Sequence, residues 1–404
     1  MPRTQIIPDP PASTAVPARG GRHHGIDWLR IGAFHLLILY HIGMVFVPWE
    51  WHVSADDAVE WAVLPMVAIN AWRLTLLFTV SGFASAAMLA RRRDLPAFAR
   101  NRAVRLGLPL VFGMLVITPV QPWIQLTTQR GYTHDFGWFY LHDYFRFGTL
   151  GGMPLPAWQH LWFVAYLIVY TAILILLLAL PERLRRSGPA VAGLLARPLL
   201  LLLLPIVIAI PIRLAWFATA EDNHNLAGDW VAHIRHLPAF LFGYLLYGSS
   251  GLWRAVRQDA VAAALLAIMS TIAVVLIVWA YPGTRPISTG MRQLYQMCRI
   301  VQGWATILAL LAVADRWWNH DHPWRATLAE AVFPFYLIHQ TIIIVVGWLL
   351  LGTPISNLAR LAILVVATLG GCWLFYLVGR RLGPLRPLIG LRRLPAKTLR
   401  EGLA

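Results

Sequence analysis

The chain has 404 residues, of which 58% are hydrophobic and only 13% charged. Soluble domains run near half apolar and a quarter charged, so this composition excludes a set of water-covered domains. The formal charge of +16 arises from 34 Lys+Arg against 18 Asp+Glu. It lies in short loops between apolar runs, which argues for cytoplasmic loops of a membrane protein and against nucleic-acid binding.

Residues 1–24 are rich in proline and glycine and have no apolar core, so they read as a disordered cytoplasmic tail. Ten apolar segments follow at 26–47, 67–90, 104–124, 158–180, 198–217, 231–249, 259–280, 293–314, 327–351 and 358–379. Each is long enough to cross a bilayer as a helix. The stretch 49–66, with Trp49, Trp51 and Trp61, reads as interfacial. The expected fold is an all-α polytopic bundle of about ten transmembrane helices, with a membrane domain over 25–380 and a basic cytoplasmic tail over 381–404. Arginines at 91–93, 100–105, 183–197 and 380–400 outweigh those of the alternate loops, which places both termini in the cytoplasm. A multi-pass protein of a bacterial inner membrane is the expected setting, with the lipid bilayer as its first partner, and a homo-oligomer is compatible with it. Cys298 and Cys372 fall inside apolar runs and form no disulfide framework or metal motif, so no metal is expected.

Ionisable side chains in such spans are costly, ~2.5–3.5 kcal/mol each on insertion scales, and so are candidates for function. The first segment carries Asp27, Arg30, His35 and His41. Eleven residues separate Arg30 from His41, which returns to within about 20° of one helix face with ~16 Å of rise between the two. Asp27 lies on the same side and can neutralise Arg30. His35 points elsewhere and reads as a packing histidine. His41 itself is open to two readings, a core histidine satisfied by a neighbouring helix or a functional imidazole.

In the second segment, Ser81-Gly82 and the alanines after it make a small-residue face for close helix packing; Ser81 lining a cavity is the alternative. Arg102 and Arg105 follow at i,i+3 on the boundary of the third segment. Their guanidinium forks suit a polyphosphate; on the residues alone, the stronger reading is an anchor to anionic lipid. The aromatic loop 125–157 leads into His160 and Trp162, good stacking surfaces for sugar rings and also the usual interfacial belt. In the ninth segment Pro334 frees the carbonyl of Glu330. His339 lies ~18 Å and His41 ~22 Å from the cytoplasmic ends of their helices, at comparable depth.

These residues carry a resemblance. Arg30-x10-His41, the run LLFTVSGFAS at 76–85, FARNRAVRLGLPLVFGMLVITP with Arg102 and Arg105, HLWFVAYLIVYT at 160–171 and FPFYLIHQTIIIVVGW at 333–348 occur in order. Together they resemble the integral-membrane acyltransferase type 3 family, within it the branch of periplasmic glucan succinyltransferases. The residues before Ser81 depart slightly from the family's usual segment. The resemblance implies a ten-helix enzyme that moves an acyl group, succinyl or acetyl among others, from cytoplasmic acyl-CoA to a hydroxyl of an extracytoplasmic glucan or other glycan. It implies His41 as the catalytic base and Arg30, Arg102 and Arg105 as donor-binding residues. Ser81 is expected at the donor, and His339, His160, Trp162 and Asp27 around the substrate cavity. The acyl-pantetheine arm is expected to run up the bundle from Arg102 and Arg105 toward a neutral His41, for which the sequence offers no orienting partner. The rival class is a proton-coupled transporter or flippase of an acylated or anionic solute, with His41 and His339 as a proton relay.

Overall fold

The structure is a computed structural model that describes residues 22–393, apart from positions 56, 93, 221 and 284. Most of the two expected tails, up to residue 21 and beyond 393, lies outside the described residues. All ten apolar segments are helical. The first helix, α1 (His24–Gly43), starts at His23, whose ring accepts from the Ile26 N–H. After it the chain turns back over residues 44–59 and enters α2 (Val63–Asn70) and α3 (Arg73–Arg92). Residues 60–91 thus run as one apolar helical stretch, so the segment expected to lie at the interface joins the second span from Glu60 onward.

Helix α4 (Leu95–Phe112) passes through a π-helical turn at Gly113–Ile117 and bends by 40° into α5 (Val120–Gln129). The aromatic loop contains one turn, α6 (Phe136–Trp138), and a small hairpin of β1 (Gly148–Leu150) and β2 (Met153–Leu155), in which Gly148 pairs with Leu155. Then come α7 (Trp162–Ala179), α8 (Glu182–Arg185) and α9 (Ser187–Leu195). A 109° bend precedes α10 (Leu200–Trp216), at Leu199 with its left-handed φ of +61°. The remaining helices are α11 (Trp230–Gly248), α12 (Ser250–Gln258), α13 (Ala260–Ala280), α14 (Thr289–Arg316), α15 (Pro323–Leu349) and α16 (Asn357–Arg381).

Six helical stretches are long and apolar enough to cross a membrane, and up to eight when each bent pair counts as one span. Helices α1 and α11 fall outside that set; both carry imidazoles and an arginine. The apolar windows of α13 and α16 are only 22% buried within the protein. Val261, Leu265, Ile268, Ile272 and Leu276 stand exposed along one side of α13. Such a continuous apolar face requires a non-aqueous surround, which makes this a multi-pass membrane protein.

Two relationships position the site. Helices α1 and α15 run parallel with a nearly constant offset: Asp27 meets Arg325, Arg30 meets the Ala329 carbonyl, and His41 meets His339. Helices α3 and α11 also run parallel and touch backbone to backbone. A Cβ on Gly82 would lie 1.8 Å from the Phe240 carbonyl oxygen, and one on Gly243 1.8 Å from that of Thr79. The small-residue face at Ser81-Gly82 is therefore a packing seam.

The described ends lie at one end of the bundle. Asp27 near the start binds Arg325 of α15, and Arg386 binds Glu330 of the same helix at 3.0 Å. Residues 383–391, expected within the basic tail, fold back as a buried turn. Arg386 there also donates to the Arg380 and Arg392 carbonyls, and Ile389 and Leu391 join the core.

Candidate active site

The face that spacing assigns to Arg30 and His41 is the face α1 turns toward α15. At the far end of that seam His41 Nδ1 stands 2.9 Å from His339 Nε2. His339 Nδ1 lies 2.7 Å from the Tyr336 carbonyl oxygen, which only accepts, so Nδ1 carries the hydrogen. In the neutral ring Nε2 is then bare and accepts from His41 Nδ1–H. His41 Nε2 is left as an unprotonated nitrogen with no hydrogen-bond partner among the described residues. The partner that sequence reasoning did not find for His41 is thus His339; Asp27 is at the other end of the helix.

A third imidazole completes the group. His160 Nε2 donates to the Tyr336 and Leu337 carbonyls, at 3.1 and 3.2 Å, and its ring meets His339 edge-on at 5.1 Å. The Tyr336 hydroxyl returns a bond to the His160 carbonyl. Above these rings the 44–59 segment closes over α1. The Trp51 ring lies parallel to that of His41 with centroids 6.4 Å apart, and Gln129 of α5 donates to the His52 carbonyl at 3.1 Å. Gln340 bonds Gln121 at 3.1 Å, and Gln121 bonds Thr341 at 2.7 Å, tying α15 to α5 beside the histidines. Trp51, His52, Gln121 and Gln340 are site residues that sequence reasoning missed. The available signal was two carboxamides inside apolar runs, one of them adjacent to His339.

Arg73 was also missed as a site residue. It is 4% exposed, its guanidinium lies 3.2 Å from the centre of the Tyr40 ring, and its Nε and Nη1 are buried without hydrogen-bond partners. Tyr40 in turn meets the His41 ring edge-on at 6.1 Å. A buried guanidinium with spare donors beside a base is costly unless something anionic visits it.

At the opposite end of the seam stands a group of cations. Arg30 Nη2 donates to the Ala329 carbonyl at 3.2 Å, and its Nε is buried and unpartnered. Arg102 reaches Thr171 at 3.4 Å, also with a buried, unpartnered Nε. Arg105 lies within electrostatic range of Arg30, Arg102 and Arg392. Mutually repelling guanidiniums with spare N–H donors are suited to a multiply charged anion. Asp27 does less for Arg30 than expected. It sits 3.6 Å from Arg30 but 2.7 Å from Arg22 and 2.8 Å from Arg325, so its main work is to clamp the helix starts together. Arg325 also holds the carboxyl of Asp321, in the link between α14 and α15, down at about 2 through a 2.6 Å hydrogen bond.

Between the two ends the seam is closed. Phe34 of α1, Phe163 of α7 and Tyr336 of α15 meet at 5.6–6.3 Å between ring centres, all buried, above Arg30 and below His41. A large cavity lies on the other side of Tyr40 and is lined by neither Arg30 nor His41. The path expected for the pantetheine arm meets a plug of three aromatic rings here.

Two expected residues have other surroundings. The Ser81 hydroxyl donates to the Leu77 carbonyl at 2.7 Å within its own helix, beside the α3–α11 seam. Trp162 is not in the His41 group. It stacks on His224 at 4.3 Å and leans toward His236, in a second polar cluster where Tyr166 bonds Asp229 and Tyr170 bonds His233. That cluster fastens the 222–229 stretch to α7 and α11. His35 donates to the Ile31 carbonyl at 2.8 Å and packs against Phe335.

The bundle thus holds a paired imidazole at one level and a group of guanidiniums at another. The Acyl_transf_3 family, an acyltransferase domain, matches residues 23–377, and the chain belongs to that family. It is 30% identical over 161 residues to glucans biosynthesis protein C of Shigella dysenteriae serotype 1, and 29% identical over 161 residues to the protein of the same name from Escherichia coli K12. Each match covers 39% of this chain and 39% of the relative. The Salmonella gallinarum protein of that name is 29% identical over 184 residues, 45% of either chain. The aligned stretch thus spans less than half the length of these relatives. No solved structure matches the chain.

Proposed function

We propose that this chain is an O-acyltransferase that moves an acyl group from cytoplasmic acyl-CoA to a hydroxyl of a glucan beyond the inner membrane of a bacterium. In this reading the bundle crosses the membrane ten times and the Arg30 end faces the cytoplasm, together with both termini. The shared end of the described N- and C-terminal segments and the arginines of the intervening loops support that orientation. The names of the glucan-related relatives support the acceptor class.

The single observation that carries the mechanism is the bare Nε2 of His41. An alcohol is a weak nucleophile until a base takes its proton. His41 Nε2 takes that proton as the hydroxyl oxygen bonds to the thioester carbonyl carbon. The carbon–sulfur bond then breaks, the thiolate of CoA leaves and takes the proton back from His41 Nε2, and the glucan keeps the acyl ester. His339 Nε2 accepts from His41 Nδ1–H through both stages, before the ring is protonated and after. Arg73 supplies positive charge for the oxyanion of the tetrahedral intermediate or, for a succinyl donor, for its free carboxylate. Arg30, Arg102 and Arg105 hold the donor phosphates. The pantetheine arm passes where Phe34, Phe163 and Tyr336 now meet, so the plug opens when donor binds.

The test is thiol release. Purified protein in vesicles with succinyl-CoA, or with acetyl-CoA, and a glucan acceptor should liberate CoA and yield an esterified glucan by mass spectrometry. Solute movement coupled to a proton gradient with no thiol released would replace this reading by that of a transporter.

A further inference from the structure

A cavity of about 2240 Å³ runs alongside α11, between α3, α10 and α14. It exceeds the roughly 300–1,000 Å³ of pockets for small ligands. Its lining extends from Val231 to Gly248 along α11, a helix rise of ~26 Å, close to the depth of a hydrocarbon core. The two ends of the cavity differ in chemistry.

At the His41 end four arginines line it, Arg213, Arg235, Arg292 and Arg299, from three different helices. Among the described residues the carboxylate lining this end is Asp222, which is engaged by Arg235 at 2.7 Å. Arg299 donates to the Tyr295 hydroxyl at 3.1 Å, a neutral partner. Gln296, on the same wall, has a buried carbonyl oxygen without a partner. Arg292 and Arg299 have no carboxylate partner among the described residues, so this end keeps positive charge. Below it the walls are apolar: Leu204, Ile208 and Ile212 follow one face of α10, opposite Leu241 and Leu245 of α11. Ile208 is 52% exposed, so the slot opens sideways toward the bilayer.

We propose that this slot binds an anionic membrane phospholipid, with its phosphate at Arg292 and Arg299 and its acyl chains along α10 and α11. A slot open to the bilayer fills with hydrocarbon chains in any case. The arginine rim selects among lipids by charge, and the bidentate fork of arginine suits phosphate. The site lies across Tyr40 from the imidazole pair and is independent of acyl transfer.

The experiment uses the full chain in phosphatidylcholine nanodiscs with and without phosphatidylglycerol, with retained lipid read by native mass spectrometry after gentle extraction. The parent should retain phosphatidylglycerol in preference to phosphatidylcholine. R292Q/R299Q should reduce that preference about 30-fold, while R292K/R299K should keep most of it. Ala209→Trp, which fills the apolar wall, should lower retention of both lipids. A thermal melt in detergent identifies any variant that fails to fold, and the remaining variants then carry the test. Equal retention of the two lipids by the parent would overturn the proposal. So would unchanged preference in a folded R292Q/R299Q, displacement by inorganic phosphate alone, or retention of acyl-CoA in place of lipid.

Discussion

His339 determines which nitrogen of His41 is free. Its Nδ1–H is committed to the Tyr336 carbonyl at 2.7 Å, so its Nε2 accepts from His41 at 2.9 Å. The backbone carbonyl of one helix thereby sets the tautomer of a ring on another. The pairing uses no carboxylate, so the two rings need no counter-ion of their own.

His41→Ala should lower acyl transfer by about 10²–10⁴-fold, the usual worth of a general base. Insertion and thermal stability should be close to those of the parent. Near-parental CoA release by the variant would remove His41 from its role.

His339→Leu leaves the His41 Nδ1–H without an acceptor and the tautomer unset. The loss of one buried hydrogen bond is worth ~1–3 kcal/mol, roughly a 5- to 150-fold fall in kcat. KM for acyl-CoA should stay as it is. His339→Gln, whose side-chain oxygen can accept, should recover part of the rate. Equal rates for the two variants would show that His339 does no more than fill space.

Arg102→Ala and Arg105→Ala should raise KM for acyl-CoA with little change in kcat. One lost charge-assisted contact of ~1.5–3 kcal/mol corresponds to roughly 10- to 150-fold. Dephospho-CoA thioesters should discriminate less between parent and variant. Unchanged donor binding would return both residues to the role of lipid anchors.

Gly82→Val tests the fold. Its side chain would meet the Phe240 carbonyl, so α3 and α11 must part. Overpacking costs ~1–3 kcal/mol or more, to be read as a lower melting temperature in detergent. Gly107→Ala, where an added Cβ meets nothing within 4 Å, is the matched control and should melt with the parent.

Much of the site was legible because helix geometry is nearly one-dimensional. The eleven-residue spacing put Arg30 and His41 on one face, and the rise put His41 and His339 at one depth. Helix rotation was not legible. Nothing in the sequence says that α15 turns His339 and not another face toward α1, so the 2.9 Å pairing emerged only from packing. Aromatic residues misled for a related reason. Trp162 is as good a sugar platform as Trp51, yet one stacks beside His224 and the other over His41. Arg73 was hidden by position: an arginine at the start of a span looks like an interfacial anchor, and only its burial under Tyr40 sets it apart. The fold-back at 383–391 was hidden by its many arginines, whose guanidiniums find carbonyls and Glu330 instead of water.

The three rings of Phe34, Phe163 and Tyr336 have a bioenergetic consequence. A water-filled bore joining a cytosolic thioester to an external sugar would leak protons and dissipate the ion gradients on which the cell depends. In the reaction proposed above, those touching rings would serve the resting protein as an airlock, and the long thin arm of the donor would itself be the stopper during each turnover.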